Sequence, residues 1–285
     1  MQVFKPGHSI SLRLGKTRFD VTSRALVMGI LNRTKDSFFS PAATYDLDAF
    51  FERAEQLVNE GADLLDVGGV KAGPGDEVTE TEELERVVPV IGELKKRFDV
   101  PLSIDTWRAS VAKACFAEGA SVGNDISGFG DPEYLKVAAV ANASVVATHI
   151  RLKPRVADPT PQYDNVTETV KDFLVQRRQW ALDAGIEHDR IIIDAGLDLG
   201  KTAAQSLQLL RDSSVLAELG SPLLLSASNK TFLGVMFDLP VTERREPSLG
   251  ASALGIAGGC RILRVHDVAG SVRVRDVMEH LIGAS

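Results

Sequence analysis

Asn32, Asp66, Asp105, Asn124, His149, Asp194, Lys230 and the pair Arg264 and His266 each end or closely follow a short apolar run. The runs are β-rich: ALVMGIL before Asn32, LSID ending at Asp105, SVVATH ending at His149, IIID ending at Asp194. Carboxylates, amides and three basic residue types in one series are the makings of a polar catalytic or binding site. Successive members lie 19 to 45 residues apart, which leaves room for a strand, a loop and a helix each time. A parallel barrel gathers its strand ends into one ring, and catalytic residues of such barrels sit on that face. The spacing therefore predicts a single polar site assembled from the whole chain.

The elements that must position these residues follow the same rhythm. Residues 3–22 alternate weakly and predict a small hairpin, so residues 1–24 are set apart as an N-terminal extension and 25–285 as the main body. Eight strand-then-helix units follow, with strands expected near 25–31, 63–67, 101–105, 121–124, 144–148, 190–194, 222–226 and 261–265. In the helix expected at 46–60, Phe50, Ala54, Leu57 and Val58 form one apolar stripe. Thr79 with Glu82 three residues on reads as a capping box for a helix at 79–97, and Pro89 inside it predicts a kink. Helices are also expected at 108–118, 132–142, 165–184, 203–218, 229–237, 247–259 and 272–282. Alternating β and α with short apolar strands predicts parallel pairing and an eightfold α/β (TIM) barrel in a single domain. A doubly wound open sheet is the alternative, though it usually has fewer units and a glycine-rich first turn.

Composition excludes several classes. A net charge of −7 argues against a general nucleic-acid or acidic-membrane surface. No apolar run reaches the roughly 18 residues of a membrane span, and MQVFKPGHSISLRLG lacks the apolar core of a signal peptide, so a cytoplasmic protein is expected. Cys115 and Cys260 fit no metal spacing and read as buried reduced thiols. GLDLGKT has the wrong length and glycines for a nucleotide-binding P-loop, and GGVKAGPG lacks the helix start of a dinucleotide fingerprint, so it reads as a mobile loop. Any single strand-end Asp can simply cap the helix after it, and Asp66 is a candidate for that plainer role. His8, His188 and His280 are left as structural or exposed.

Seven segments together carry a resemblance: MGILN at 28–32, GADLLDVGG at 61–69, SIDT at 103–106, GNDISG at 123–128, GKT at 200–202, SNKTFLG at 228–234 and RVHDV at 264–268. In order and rough spacing the chain resembles the dihydropteroate synthase family of pterin-binding barrels, from Val27 to Asp276. The resemblance implies that Asp105, Asn124 and Asp194 hold a pterin, whose pyrimidine edge offers donors beside an acceptor. It implies that Lys230 reaches the pterin carbonyl and ring nitrogen, and that Arg264 lies along the pterin face. Asn32, Arg264 and His266 would hold the diphosphate leaving group, with Mg²⁺ at Asn32 neutralising developing charge. Ser228 and Lys230 fall on the p-aminobenzoate side. A homodimer through the last helices is implied as well, with Leu254, Ile256, Ile262 and residues 272–282 as the available apolar surface.

The departures from the family pattern cluster in the loops. Where the family reads ESTRP after DVGG, this chain has VKAGP at 70–74, so Gly73 stands in the place of the loop arginine. NRTKDSFFSPAATY keeps Asn32, Thr34 and Asp36, gains Arg33 and Lys35, and loses an Asp-Gly-Gly. Asn229 stands where a second arginine is usual, Leu199 where an aromatic covers the aminobenzoate, Asp198 adds a carboxylate there, and His149-Ile150 replaces a His-Met pair. Removing one transition-state donor typically costs about 10²-fold or more. The expectation is therefore a divergent homologue with little or no synthase activity that keeps a pocket for a pterin or aminobenzoate-like aromatic. One alternative is an active synthase that condenses 6-hydroxymethyl-7,8-dihydropterin diphosphate with p-aminobenzoate, Lys35 and Lys71 replacing the lost arginine. A non-catalytic binding or regulatory subunit is another. Folate methyl transfer is a third, which needs a cobalamin-domain partner.

Overall fold

The structure, a computed structural model, describes residues 3–33, 47–73 and 75–283. Two short strands, β1 (Ser11–Leu14) and β2 (Thr17–Asp20), form an antiparallel hairpin. Eight parallel strands close a barrel: β3 (Leu26–Asn32), β4 (Leu64–Gly68), β5 (Leu102–Asp105), β6 (Val122–Asp125), β7 (Ser144–Thr148), β8 (Ile191–Asp194), β9 (Leu223–Leu225) and β10 (Cys260–Val265). Each pairs with its sequence neighbour, and β10 closes on β3 through Ile262↔Leu26 and Arg264↔Met28. The expected eightfold barrel with its N-terminal hairpin is what the chain forms.

Helices occupy the outside: α1 (Leu47–Asn59), α2 (Glu80–Arg97), α3 (Ala109–Ala117), α4 (Tyr134–Val140), α5 (Val166–Asp183), α6 (Ala203–Arg211), α7 (Ser213–Ala217), α8 (Thr231–Phe237), α9 (Arg245–Ala257) and α10 (Val268–Gly283). The helix expected over 203–218 is two, meeting at Asp212. The helix expected from 132 begins at Tyr134, after a turn in which Asp131 accepts from the N–H groups of Glu133 and Ala109 at 3.0 Å each. Thr79 caps α2 through the Glu82 N–H at 3.2 Å, and α2 runs on through Pro89. A reciprocal capping box forms at Thr202 and Gln205.

The period of two along each strand decides what the barrel holds. Leu26, Met28, Leu64, Val122, Val146, Ile192, Leu224 and Ile262 point inward and form an apolar floor. Leu65, Val67, Ile193, Leu263 and Val265 face out, against the helices. Two residues beyond Leu64, Val122, Ile192 and Ile262 come Asp66, Asn124, Asp194 and Arg264, one layer up inside the same wall. The alternation that builds the floor therefore also turns the polar residues inward.

The hairpin closes the bottom. Ile10, Leu12, Leu14 and Val21 pack directly onto the floor residues. Buried Arg261 ties the junction, donating to the carbonyls of Thr22, Ile256 and Cys260 at 2.9–3.1 Å. The assignment of Ile256 and Ile262 to a dimer surface is overturned: each is 1% exposed, Ile262 in the barrel floor and Ile256 on the buried face of α9. Val277 and Leu281 are the large apolar residues of α10 left exposed. Cys115 and Cys260 are buried and free, as expected. Among the described residues no helix is long and apolar enough to cross a membrane. Leu14→Ala, which empties part of the plug, is expected to cost about 2–5 kcal/mol in urea unfolding; a loss under about 1 kcal/mol would show that the plug contributes little.

Candidate functional site

Arg264 is the centre of the ring. Its Nε donates to Asp66 Oδ2 at 2.6 Å and its NH2 nitrogen to Asp105 Oδ2 at 2.7 Å. Asn124 Nδ2 donates to the same Asp66 oxygen at 3.2 Å. β10 and β4 are separated in the barrel only by β3, and β5 follows β4, so register alone delivers these groups to one place. Burial opposes the Arg264 charge, but the two carboxylates outweigh it and hold its pKa above the usual arginine value. One cation between two acids leaves an excess of negative charge. Burial pushes the Asp105 carboxyl up to about 7, Arg264 working against that rise and Asp66 adding to it. Asp66 is not a helix cap. It is completely buried and serves as the anchor of both Arg264 and Asn124.

Asp194 and Lys230 complete the inner wall. One Asp194 oxygen takes the Gly196 N–H at 2.8 Å, and burial raises its pKa. Lys230 Nζ donates to the Leu197 carbonyl at 3.1 Å; burial lowers its pKa, with Asp198 and Asp194 opposing. The turn between them depends on Gly196. At its φ of +65°, a Cβ would fall 1.9 Å from the His149 carbonyl oxygen. Asp198 does not add a free carboxylate over the acceptor side. Its oxygens take the N–H groups of Thr231 at 2.5 Å and Phe232 at 3.3 Å, so it caps α8 from a neighbouring loop.

His149 leaves the ring. Val146 faces the interior, and three residues on, strand alternation turns His149 outward, against Phe173 with ring centroids 4.8 Å apart. Its Nδ1 lies 2.9 Å from Lys201 Nζ, which also donates to the carbonyls of Gly196 and Leu199 at 2.8 and 3.0 Å. Lys201 is thus a buried clamp on the turn after β8. Burial lowers its pKa to about 7.

Ser228 and His266 meet on the other side. Ser228 Oγ lies 2.9 Å from His266 Nδ1 and accepts the His266 N–H at 3.2 Å. Arg53 of α1 donates to the His266 carbonyl at 2.8 Å. Burial lowers the His266 pKa to about 4, helped by Arg264, Arg53 and Lys230. A cavity of about 390 Å³ opens here, lined by Arg53, Ser228, Asn229, Arg245, Ser248 and His266 among others. Sequence reasoning had no signal for Arg53, because its partner is a backbone carbonyl far along the chain.

Two positions marked as rewritten are also informative. Gly73 is exposed, and a Cβ there meets nothing within 4 Å. Asn229 has φ +58°, a left-handed conformation that Asn tolerates better than most residues. Arg244, another residue the sequence did not single out, donates to the Asn229 carbonyl at 3.1 Å. Asn32 ends β3 beside Gly68, where a Cβ would come 3.2 Å from the Asn32 Oδ1. Thr34, Lys35 and Asp36 lie outside the described residues. Among those described, no three His, Cys, Asp or Glu side chains are placed to hold a metal.

The chain is similar to known proteins over nearly its whole length. The family model for pterin binding enzymes matches residues 28–266. The chain is 37% identical over 274 residues to a dihydropteroate synthase of Clostridium beijerinckii, covering 95% of this chain and 99% of that one. It is 40% identical over 266 residues to a Mycobacterium tuberculosis protein named inactive dihydropteroate synthase 2, covering 91% and 84%. The solved structure of Xanthomonas albilineans dihydropteroate synthase with 4-aminobenzoic acid is similar at a TM-score of 0.89 and 36% identity, covering 96% of this chain and 98% of that one.

The lowered histidine pKa has a thermodynamic consequence. Burial lowers His149 to about 3, so the folded chain binds fewer protons there than the unfolded chain, whose histidine titrates near 6.5. The stabilisation is complete above that value and is lost as pH falls from it toward about 3. His149→Gln is expected to flatten the stability slope between about pH 6 and 4 by nearly one proton in urea unfolding. An unchanged slope would mean that His149 is protonated in the fold.

Proposed function

The chain belongs to the dihydropteroate synthase family of pterin-binding enzymes, and we propose that it is a divergent member running little or no dihydropteroate synthesis while keeping a pterin-type pocket. The supporting observation is position 73. The loop arginine of the resemblance is replaced by an exposed glycine, and no described atom lies within 4 Å of where its Cβ would be.

In this reading Asp105, Asn124 and Asp194 pair with the pterin's pyrimidine edge and Lys230 with its carbonyl side. Asp66 takes no part in ligand contact; it fixes Arg264 so that the guanidinium plane is preset for stacking. Asp105, with its pKa near neutrality, can be either donor or acceptor to a ring nitrogen. Asn32, Arg264 and His266 face the diphosphate. Ser228 reaches the aminobenzoate side only through the hydroxyl it already shares with His266.

Asn32 offers one neutral amide oxygen, which suits Mg²⁺ only when substrate phosphates and water supply the remaining ligands. When bound, the ion would offset charge developing on the leaving diphosphate. In synthesis the aminobenzoate amine attacks the pterin methylene carbon and the carbon–oxygen bond to diphosphate breaks. The inner wall positions that carbon, but the described loop after β4 brings no cation of its own at position 73. Pairing of two copies through α10, where Val277 and Leu281 are exposed, belongs to the same proposal.

An active synthase is the second reading, favoured by the intact inner wall and by the Clostridium relative. Steady-state dihydropteroate formation with Mg²⁺ separates the two. Turnover at least about 10²-fold below an ordinary synthase is expected, and an ordinary rate would overturn the proposal. Gly73→Arg meets no steric obstacle and is expected to raise turnover. Adding Asn229→Arg brings a second guanidinium at a strain of about 1 kcal/mol from the left-handed backbone.

A further inference from the structure

We propose that Arg155, in the segment between β7 and α5, is a positioning residue that holds the segment after β4 docked over the barrel mouth. This rests on the reading that the segment after β4 overhangs the pterin floor. The residues at 70–73 are Val, Lys, Ala and Gly; Val70 is buried, and the backbone carbonyls beyond it need partners. Those groups are met from outside. Arg155 NH1 donates to the Lys71 carbonyl at 3.0 Å, its other terminal nitrogen donates to the Asp76 carbonyl, and its own N–H donates to the Ala72 carbonyl at 3.1 Å. One side chain therefore spans carbonyls five residues apart, which a two-pronged guanidinium can do and a single ammonium cannot.

The joint is built from both sides. Arg155 has φ +65°, an uncommon backbone conformation for a long side chain, and it is held by these bonds. Gly75 leaves the space the guanidinium fills: a Cβ there would come 3.2 Å from the Arg155 NH2 nitrogen. The ends of the same segment are held by two other arginines, Arg86 on the Gly69 carbonyl and Arg108 on the Val78 carbonyl, both at 2.7 Å. Arg155's own segment is anchored in turn. Arg151 pairs with Asp158 through two bonds of 2.5 and 2.8 Å, and Tyr163 donates to the Gly200 carbonyl at 2.8 Å. The segments after β4, β7 and β8 are thus linked in series before any ligand arrives.

Trypsin cleavage after exposed Lys71 reports on this joint without depending on synthase activity. Arg155→Ala is expected to speed cleavage of the Lys71–Ala72 bond on the order of tenfold, the change that losing two ordinary hydrogen bonds brings to a local opening. Arg155→Lys, keeping one prong, should fall between. Gly75→Val, which displaces the guanidinium while leaving Arg155 in place, should also speed cleavage. The melting temperature should stay near that of the unmodified chain in all three. Unchanged cleavage at Lys71 in both Arg155→Ala and Gly75→Val would overturn the proposal. So would faster cleavage spread evenly over sites throughout the chain, because that is global loosening.

Discussion

A guanidinium buried between two carboxylates organises this molecule. Arg264 cannot be discharged, and its burial is tolerable only because Asp66 and Asp105 meet it at hydrogen-bond distance. Those acids come from two other strands, so the trio fixes the relative heights of β4, β5 and β10 at the top of the barrel. Asn124 joins through Asp66 and adds β6. Half of the mouth is therefore held by one charge cluster. Burial is what chiefly raises Asp105, and the neighbouring Asp66 charge adds to the rise.

Around that centre the chain separates walls from rims. The walls are set by strand alternation, which permits no intermediate orientation: Asp66 and Asp194 face in, His149 faces out. The rims are set by side chains that reach backbone groups across loops. Asp198 caps a helix it does not belong to, Lys201 gathers the turn after β8, and Arg244 holds the turn at Asn229. Substitution in a rim need not disturb a wall. This is how a chain can keep a pterin-type floor while the groups above it change.

Much of this was legible from residue order, and the part that was not has a common cause. The eight units and most of the inward ring follow from periodicity and motif. His149 shares a strand end with the ring residues, but parity past Val146 turns it outward, which its position in the series does not reveal. Asp66 was undervalued because a lone strand-end Asp looks the same whether it caps a helix or anchors an arginine 198 positions away. Arg53, Arg155 and Arg244 carry no signal at all, since each bonds backbone carbonyls, and a carbonyl looks alike at every residue. Asp198 read as an added charge because nothing local reveals that its partners are the first N–H groups of α8.

The hairpin at the bottom of the barrel has a consequence for traffic. Among the described residues the floor side chains, backed by Leu12 and Leu14, close the lower end of the barrel, so the well opens at the end where the loops gather. Whatever enters must leave by the route it came, past anything bound above it.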